Sequence, residues 1–438
     1  MTYLPGARRL PVPGREKWNG HRLIPHADAG GFSGSYIVFL KLMMIKFIWR
    51  LIRETSPRLL WKFSRNFGWK GVRAVSRFSR RLKNGNFYPA FLFISVTNAC
   101  NLACKGCWVT RTDPAVELSV TDIHRIIDES KKEGCYFFGI LGGEPLLYNK
   151  LPDIFEAHPD CYFQLFTNGT LLDDEIAGEL NRLGNVTPLI SIEGLEKESD
   201  IRRGGNGVYQ SSISGLETCR RHRLVTGVAS SICRTNYNEL VHESFVQDMY
   251  RRGAHYLWYY IYRPAGADPS HELVLTEEQV NGLRQFIVEQ RAKVPMLIVD
   301  AYWDHDGRAQ CPAATGISHH INPWGDIEPC PVIQFACDSI HDGALKDVFT
   351  RSTFLRETRH LMTQTTRGCI LMENPQELES FLHTSNARDT SGRGTAREEL
   401  LRLYPCPSHY LPGQEIPERH PVYRAAKKRW FFGFGAYG

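Results

Sequence analysis

From residue 87 onward the chain alternates short apolar runs with longer stretches of helical periodicity. The runs FYPAFLFISVT (87–97), YFFGILGG (136–143), CYFQLFTN (161–168), TPLISIEG (187–194), VTGVASSIC (225–233) and HYLWYYIY (255–262) are rich in apolar residues and short. That is the pattern of parallel strands buried on both faces. Between them, residues 119–134, 173–183, 209–222, 236–252 and 276–292 read as helices, the first opened by a capping residue at Ser119 or Thr121. Six such βα units in succession predict an α/β fold, a partial (β/α)6 parallel barrel over 85–300. In folds of this kind the chemistry gathers at the C-terminal ends of the strands.

The flanks follow other rules. Residues 1–34 carry no period and read as an irregular arm, and 35–84 as a basic amphipathic helical segment. Its apolar stretch SYIVFLKLMMIKFIWRLI (35–52) is interrupted by Lys41, Lys46 and Arg50, which makes a bilayer span costly. Lys46, Arg50 and Arg53 share one sector of a helix, which suits a helix lying in a membrane surface. A helix packed on its own domain with a solvated charged face is the alternative; nucleic acid is not expected. After residue 300 the chain is less regular and bears cysteines to about 410, with a polar loop at 384–398. A basic-aromatic tail, 411–438, ends AAKKRWFFGFGAYG.

Charge and cysteine usage sharpen this picture. Residues 36–83 hold thirteen Lys or Arg against one acid, Glu54, so the basicity of the chain belongs to that segment and not to the barrel. Twelve cysteines are spread over 438 residues, unlike the dense framework of a short secreted domain. The apolar stretch also comes too late for an ordinary secretory signal. The thiols are therefore read as reduced and the protein as cytoplasmic, peripheral on the inner face of a membrane through residues 36–83. Three cysteines stand out. CNLACKGCW (100–108) places Cys100, Cys104 and Cys107 in the loop after the first strand, with no fourth thiol before Cys135. Three thiolates can hold a [4Fe–4S] cube by three irons and leave the fourth open to a small molecule. A zinc site with its fourth ligand elsewhere is the competing reading. Cys135, Cys161, Cys219 and Cys233 fall in or beside predicted strands and helices and read as core.

Taken with GGEP at 142–145, TNGT at 167–170 and SIEG at 191–194, the cysteine loop resembles the radical S-adenosylmethionine (SAM) superfamily over about residues 88–300. The resemblance implies a [4Fe–4S] cluster on Cys100, Cys104 and Cys107 with SAM chelating the open iron. It implies that Gly142, Gly143, Glu144 and Pro145 receive the SAM ammonium. Thr167, Asn168, Ser191 and Glu193 would meet its ribose and carboxylate, Glu193 standing where relatives often have Asp. Trp108 would flank adenine, and Arg202 or Arg203 in RRGGNGVY could meet the carboxylate. Turn formation, core packing and a solvated loop charge would account for the same residues. Cys311 and Cys330, on either side of a hairpin turn expected at Gly325, resemble the opening of a SPASM or twitch extension. One auxiliary iron–sulfur cluster is the most this region supports, because the tightly spaced C-x2-C block of that family is absent; Cys337, Cys369 and Cys406 are the further ligand candidates. SHH at 318–320 reads as part of the hairpin, and none of the acids in AYWDHDGR (301–308) is singled out as a proton acceptor.

The resemblance implies reductive cleavage of SAM to a 5′-deoxyadenosyl radical that takes hydrogen from a substrate. The amphipathic N-terminus points to a lipid or isoprenoid substrate. A SPASM-type maturase modifying a peptide or protein is the alternative, and a small molecule is the remaining substrate class. A one-electron reductant such as flavodoxin or ferredoxin is the expected partner. A non-catalytic iron–sulfur electron carrier or adaptor is the reading from another class.

Overall fold

Each of the six apolar runs forms a strand in the computed structural model: β1 Phe91–Ser95, β2 Phe137–Leu141, β3 Tyr162–Thr167, β4 Val186–Ser191, β5 Gly227–Ile232 and β6 Tyr256–Ile261. The structure describes residues 34–429, with side chains from 43 to 428; the expected irregular arm up to residue 33 and the end of the tail, 430–438, lie outside the described residues. The six strands pair in parallel in chain order, Leu92 opposite Phe138, Phe138 opposite Phe163 and Gly227 opposite Tyr256. Three strands that the apolar pattern did not announce extend the sheet. β7 (Leu297–Val299) pairs with β6, while β8 (Ser318–Ile321) returns to lie parallel to β1 and forms an antiparallel hairpin with β9 (Ile327–Glu328). The order is therefore β7-β6-β5-β4-β3-β2-β1-β8-β9. This is the expected partial barrel, widened on both edges.

Successive side chains alternate between the barrel interior and the helical layer. Phe93, Phe166, Trp258 and Tyr260 face inward and form a run of rings with centroids 5.1–6.3 Å apart. Their neighbours Leu92, Ile94, Leu165 and Tyr259 are fully buried on the other side. The Tyr259 hydroxyl donates to Leu240 O at 2.8 Å.

Parallel strands all climb from one end, the floor, to the other, the mouth, so each connection has to return to the floor before the next strand begins. The N-terminal segment consists of α1 (Gly34–Glu54), α2 (Pro57–Lys62), a π-helical turn (Phe63–Trp69) and α3 (Lys70–Lys83). It packs across that floor. Phe63 and Phe67 meet Tyr162 and Phe137, the first residues of β3 and β2, with centroids 5.5 and 5.2 Å apart. The connecting helices are α4 (Val120–Lys132), α5 (Leu151–Ala157), α6 (Asp174–Leu183), α7 (Glu196–Arg203), α8 (Val208–Arg221), α9 (Tyr237–Leu240), α10 (Glu243–Arg252) and α11 (Glu277–Lys293). Ser119, not Thr121, caps α4, accepting from Asp122 N at 3.0 Å.

The segment's cations find the carbonyls at the ends of these helices. Arg50 donates to Tyr250 O (2.9 Å) and Ala254 O (2.8 Å) after α10. Lys62 donates to Leu183 O (2.6 Å) at the end of α6, and Lys70 to Asp160 O (2.6 Å) beyond α5. Arg81 pairs with Glu133 at the end of α4. A cation at a helix C-terminus is stabilised by the partial negative charge there. Among the described residues no helix is long and apolar enough to cross a membrane.

Residues beyond β9 form short helices and a two-stranded ribbon, Phe335–Ala336 with Arg388–Asp389. The stretch expected as a basic tail instead returns to the barrel edge through a helix, Pro421–Arg429. Lys427 donates to Asp300 Oδ1 (2.9 Å), Arg291 pairs with Asp300 (2.5 Å) and with Glu418, and Tyr423 accepts from Ile298 N (2.9 Å). All four charges are fully buried, so this helix is sealed against the edge of the barrel at β7.

Candidate active site at the barrel mouth

The loop after β1 is fastened to the turn after β2. Gly143 N donates to Thr97 O (2.9 Å) and Glu144 N to Ala99 O (2.7 Å). A methyl group on Gly143 would lie 2.2 Å from Ala99 O, so only glycine admits this approach. Gly106 has φ +68°, and a Cβ there would strike the Tyr262 ring. The backbone thus holds Cys100, Cys104 and Cys107 against one cavity of about 490 Å³, whose wall also includes Trp108, Gly142, Gly143, Thr167, Asn168 and Ser191.

Glu144 and Pro145 stand behind that wall. The buried Glu144 carboxylate accepts from Thr167 Oγ1 (2.7 Å), Asn168 N (2.7 Å) and Leu146 N (3.1 Å). It ties the end of β3 to the turn after β2, and the structure does not turn it toward the cavity. Burial raises this carboxyl above the ordinary range despite the three donors. Glu193 accepts from Ser231 N (2.9 Å) and pairs with Arg203 (3.3 Å). Arg203 in turn reaches Cys104 Sγ at 3.6 Å. Of the two arginines in RRGG, Arg203 lines the cavity; Arg202 donates to Lys105 O and so clamps the cysteine loop.

Burial pushes the Cys100 and Cys107 thiols up, Cys107 to about 11, and Cys104 beside them adds to it. Cys107 is reachable by solvent through the open cavity yet ringed by protein. Thiols in that setting gain most from a cation that takes the place of their protons. Among the described residues no three His, Cys, Asp or Glu side chains converge to hold a single metal ion. Sulfurs that each bind a different iron of a cube surround it instead of meeting at a point, so the donor set fits a cluster better than a zinc ion.

A second cavity of about 390 Å³ continues inward from the first. Cys104 and Cys107 of the first set line it together with Cys311, Cys330 and Cys369, and so do Phe93, Phe166, Trp258 and Tyr260. Burial raises Cys311 and Cys330, Cys330 to about 12, each also feeling the charge of Cys369. Cys406, pushed to about 12 by burial, lies near enough to Cys369 to feel its charge as well. Cys337 is not brought together with them: its thiol donates to Ser385 O (3.5 Å) beside Asp338 and Arg388, away from both cavities. His320 bridges Ser95 (2.8 Å) and Glu328 (2.6 Å), which bears out the hairpin reading of SHH. Gly325 makes the turn with φ +86°.

Sequence reasoning passed over Arg263 and Tyr260. Both follow the rule that strand ends and inward positions of β6 carry the site. Arg263, just past β6, donates to Tyr302 Oη (3.2 Å) and lines the second cavity. Tyr302 and the neighbouring Cys369 and Cys311 keep it charged in spite of burial.

Residues 94–240 match the Radical SAM superfamily. The chain belongs to the radical SAM superfamily. Its members are enzymes that use a [4Fe–4S] cluster and SAM, and this chain is one of them. Mycofactocin maturase MftC of Mycolicibacterium smegmatis is 28% identical over 308 residues, covering 66% of this chain and 77% of the relative. AdoMet-dependent heme synthase of Methanosarcina barkeri is 31% identical over 160 residues, 35% of this chain and 45% of that protein. Streptococcus suis SuiB bound to the precursor peptide SuiA superposes with TM-score 0.53 at 17% identity, over 65% of this chain and 70% of SuiB. That likeness is one of fold.

Proposed function

We propose that this radical SAM enzyme modifies a peptide, with its SAM-binding cluster on Cys100, Cys104 and Cys107 and an auxiliary cluster on Cys311, Cys330, Cys369 and Cys406. The observation that carries this reading is that thiols of both sets line one aromatic-walled cavity. The three N-terminal thiols leave one iron of a cube for the methionine end of SAM. Gly142 and Gly143 offer backbone to its ammonium, Arg203 offers charge to its carboxylate, and Thr167, Asn168 and Ser191 stand where its ribose would lie. Trp108 flanks the adenine side. Glu144 positions the Thr167–Asn168 turn, and Glu193 orients Arg203.

A [4Fe–4S] cluster held by Cys100, Cys104 and Cys107 would supply the electron for reductive cleavage of SAM, the source of the radical that takes hydrogen from substrate. The chain's own part is to hold the substrate carbon within reach of that radical and to keep water away, which the ring of Phe93, Phe166, Trp258 and Tyr260 does. The peptide assignment draws on the maturase relative and on the fold shared with a precursor-peptide enzyme. A lipid or isoprenoid substrate is the second reading, favoured by the aromatic lining alone. Flavodoxin or ferredoxin is the reductant proposed. Peripheral attachment to the inner face of a membrane, through residues 36–83, belongs to the same reading.

Anaerobically reconstituted, dithionite-reduced enzyme should release 5′-deoxyadenosine from SAM, with mass change in a bound precursor peptide. Product without any change in peptides encoded beside the gene would move the substrate to the lipid class. No 5′-deoxyadenosine at full iron content would overturn the cluster assignment.

A further inference from the structure

The floor of the barrel carries a threefold pattern that the active site does not use. Trp49-Arg50-Leu51-Ile52-Arg53, Trp61-Lys62-Phe63-Ser64-Arg65 and Trp69-Lys70-Gly71-Val72-Arg73 each read Trp, base, two residues, Arg. In every copy the second residue turns inward, Arg50, Lys62 and Lys70 being the side chains that reach the helix-end carbonyls. In every copy the tryptophan turns outward: Trp49 is 67% exposed, Trp61 58% and Trp69 63%. Arg65 lies 5.0 Å over Trp61 and Arg73 5.8 Å over Trp69, and Arg53 is exposed one turn from Trp49. Ile45, Ile48 and Ile52 are exposed beside Trp49 at spacings of three and four, one face of α1. The acid of this segment, Glu54, is already paired with Arg50 at 2.9 Å.

Fold stability explains the inward bases and leaves the outward residues without a task. Exposed tryptophan beside exposed arginine and isoleucine suits the boundary between headgroups and acyl chains, where indole and aliphatic groups enter and guanidinium meets phosphate. A nucleic acid would use the charge and the rings but not the isoleucines. We propose that Trp49, Trp61 and Trp69, with Arg53, Arg65 and Arg73, seat the barrel floor on an anionic bilayer, so that the mouth faces away from it. This rests on the peripheral setting proposed above and adds its contact residues and its direction. Because Cys100, Gly142 and Thr167 sit at the opposite strand ends from Phe63 and Phe67, a substrate then arrives from the aqueous side. A membrane-facing enzyme of this geometry takes no lipid directly from the bilayer it rests on.

The test uses the full chain in flotation with phosphatidylcholine–phosphatidylglycerol vesicles, against phosphatidylcholine alone and against duplex DNA and RNA. Trp49, Trp61 and Trp69 are replaced by Gln in one variant, and Arg53, Arg65 and Arg73 by Gln in another. The wild type should float with the anionic vesicles, and each variant should lose about tenfold or more of that binding. Far-UV circular dichroism and lipid-free release of 5′-deoxyadenosine should stay unchanged. Dithionite-driven SAM cleavage should persist on the vesicles. Wild-type binding to no anionic vesicle overturns the peripheral setting itself. Vesicle binding unaltered in both variants overturns the floor as its contact. Loss of SAM cleavage on vesicles overturns the orientation, and a preference for nucleic acid that the same variants abolish overturns the lipid occupant.

Discussion

Replacing Glu144 by Gln separates two roles that its motif could serve. In the fold its carboxylate is a fastener, accepting Thr167 Oγ1, Asn168 N and Leu146 N. The amide is nearly the same size, but one oxygen becomes an NH2 group. Whichever way it turns, that group meets a backbone donor: Asn168 N on one side, Leu146 N on the other. One charge-assisted bond is lost, about 1.5–3 kcal/mol, and a buried N–H without a partner adds about 1–3 kcal/mol. Relief of a buried charge acts in the opposite direction, since burial already holds this carboxyl above its usual range. The net expectation for Glu144→Gln is a loss of about 2–3 kcal/mol. Urea unfolding followed by circular dichroism should show it as a lower midpoint at unchanged slope. Equilibrium dialysis of SAM against the reconstituted protein should show weaker binding in parallel, because the loosened turn carries Thr167 and Asn168. A variant with wild-type midpoint that no longer binds SAM would mean that the carboxylate touches the ligand, and the fastener account would be wrong.

Three further outcomes follow from other parts of the molecule. Asp300→Asn leaves Arg284, Arg291 and Lys427 buried with Glu418 as their remaining carboxylate and should cost about 3–5 kcal/mol in a denaturation midpoint. Adding Lys427→Met to that variant should recover part of the loss, and no recovery would contradict a coupled network. Burial holds His255 down to about 3. Between pH 6.5 and 3 the unfolded chain therefore binds a proton that the folded chain does not, and stability falls as pH drops through that window. The single-site share is about 2 kcal/mol at pH 5, read as a urea midpoint at pH 7 and pH 5 in wild type and His255→Gln. Cys337→Ser should leave iron per chain and the electron paramagnetic resonance spectrum unchanged, whereas Cys369→Ser should lower both; equal loss in the two would place Cys337 at a cluster.

The six inward strands and the cysteine loop were legible because their cues are local. Buried parallel strands write continuous apolar runs, and the thiols and glycines of the mouth lie within a few residues of strand ends. What escaped depends on distant partners. β8 carries His319 and His320 in place of an apolar run, and its pairing with β1 becomes visible only when Phe91 lies opposite Ser318. The predicted helix 236–252 breaks into α9 and α10 with His242 capping the second by accepting from Ser244 N (3.2 Å). Helix α5 is too short to establish a period. Lys427 reads as a solvent residue until Asp300, more than a hundred positions earlier, is found against it. The same reason separates Cys337 from Cys369: both are cysteines in irregular chain, and spacing alone does not say which one faces the cavity.

The asymmetry between the two ends of the barrel has a single origin. Parallel strands force each connection back to the floor, and α4, α5, α6 and α10 point their C-termini, and so their partial negative charge, there. A segment holding thirteen bases and one acid is therefore drawn to that end, and Arg50, Lys62, Lys70 and Arg81 show it docked there. Each such contact contributes about 0.3–1 kcal/mol and up to about 2 when partly buried, so several together anchor the segment while none decides the fold. The glycine turns and thiols that need backbone approach and a positive partner sit at the other end. Cationic character in the first eighty residues consequently says little about the substrate, because it answers to the floor. The substrate is read from the mouth, where two sets of thiols line one cavity with the rings of Phe93, Phe166, Trp258 and Tyr260.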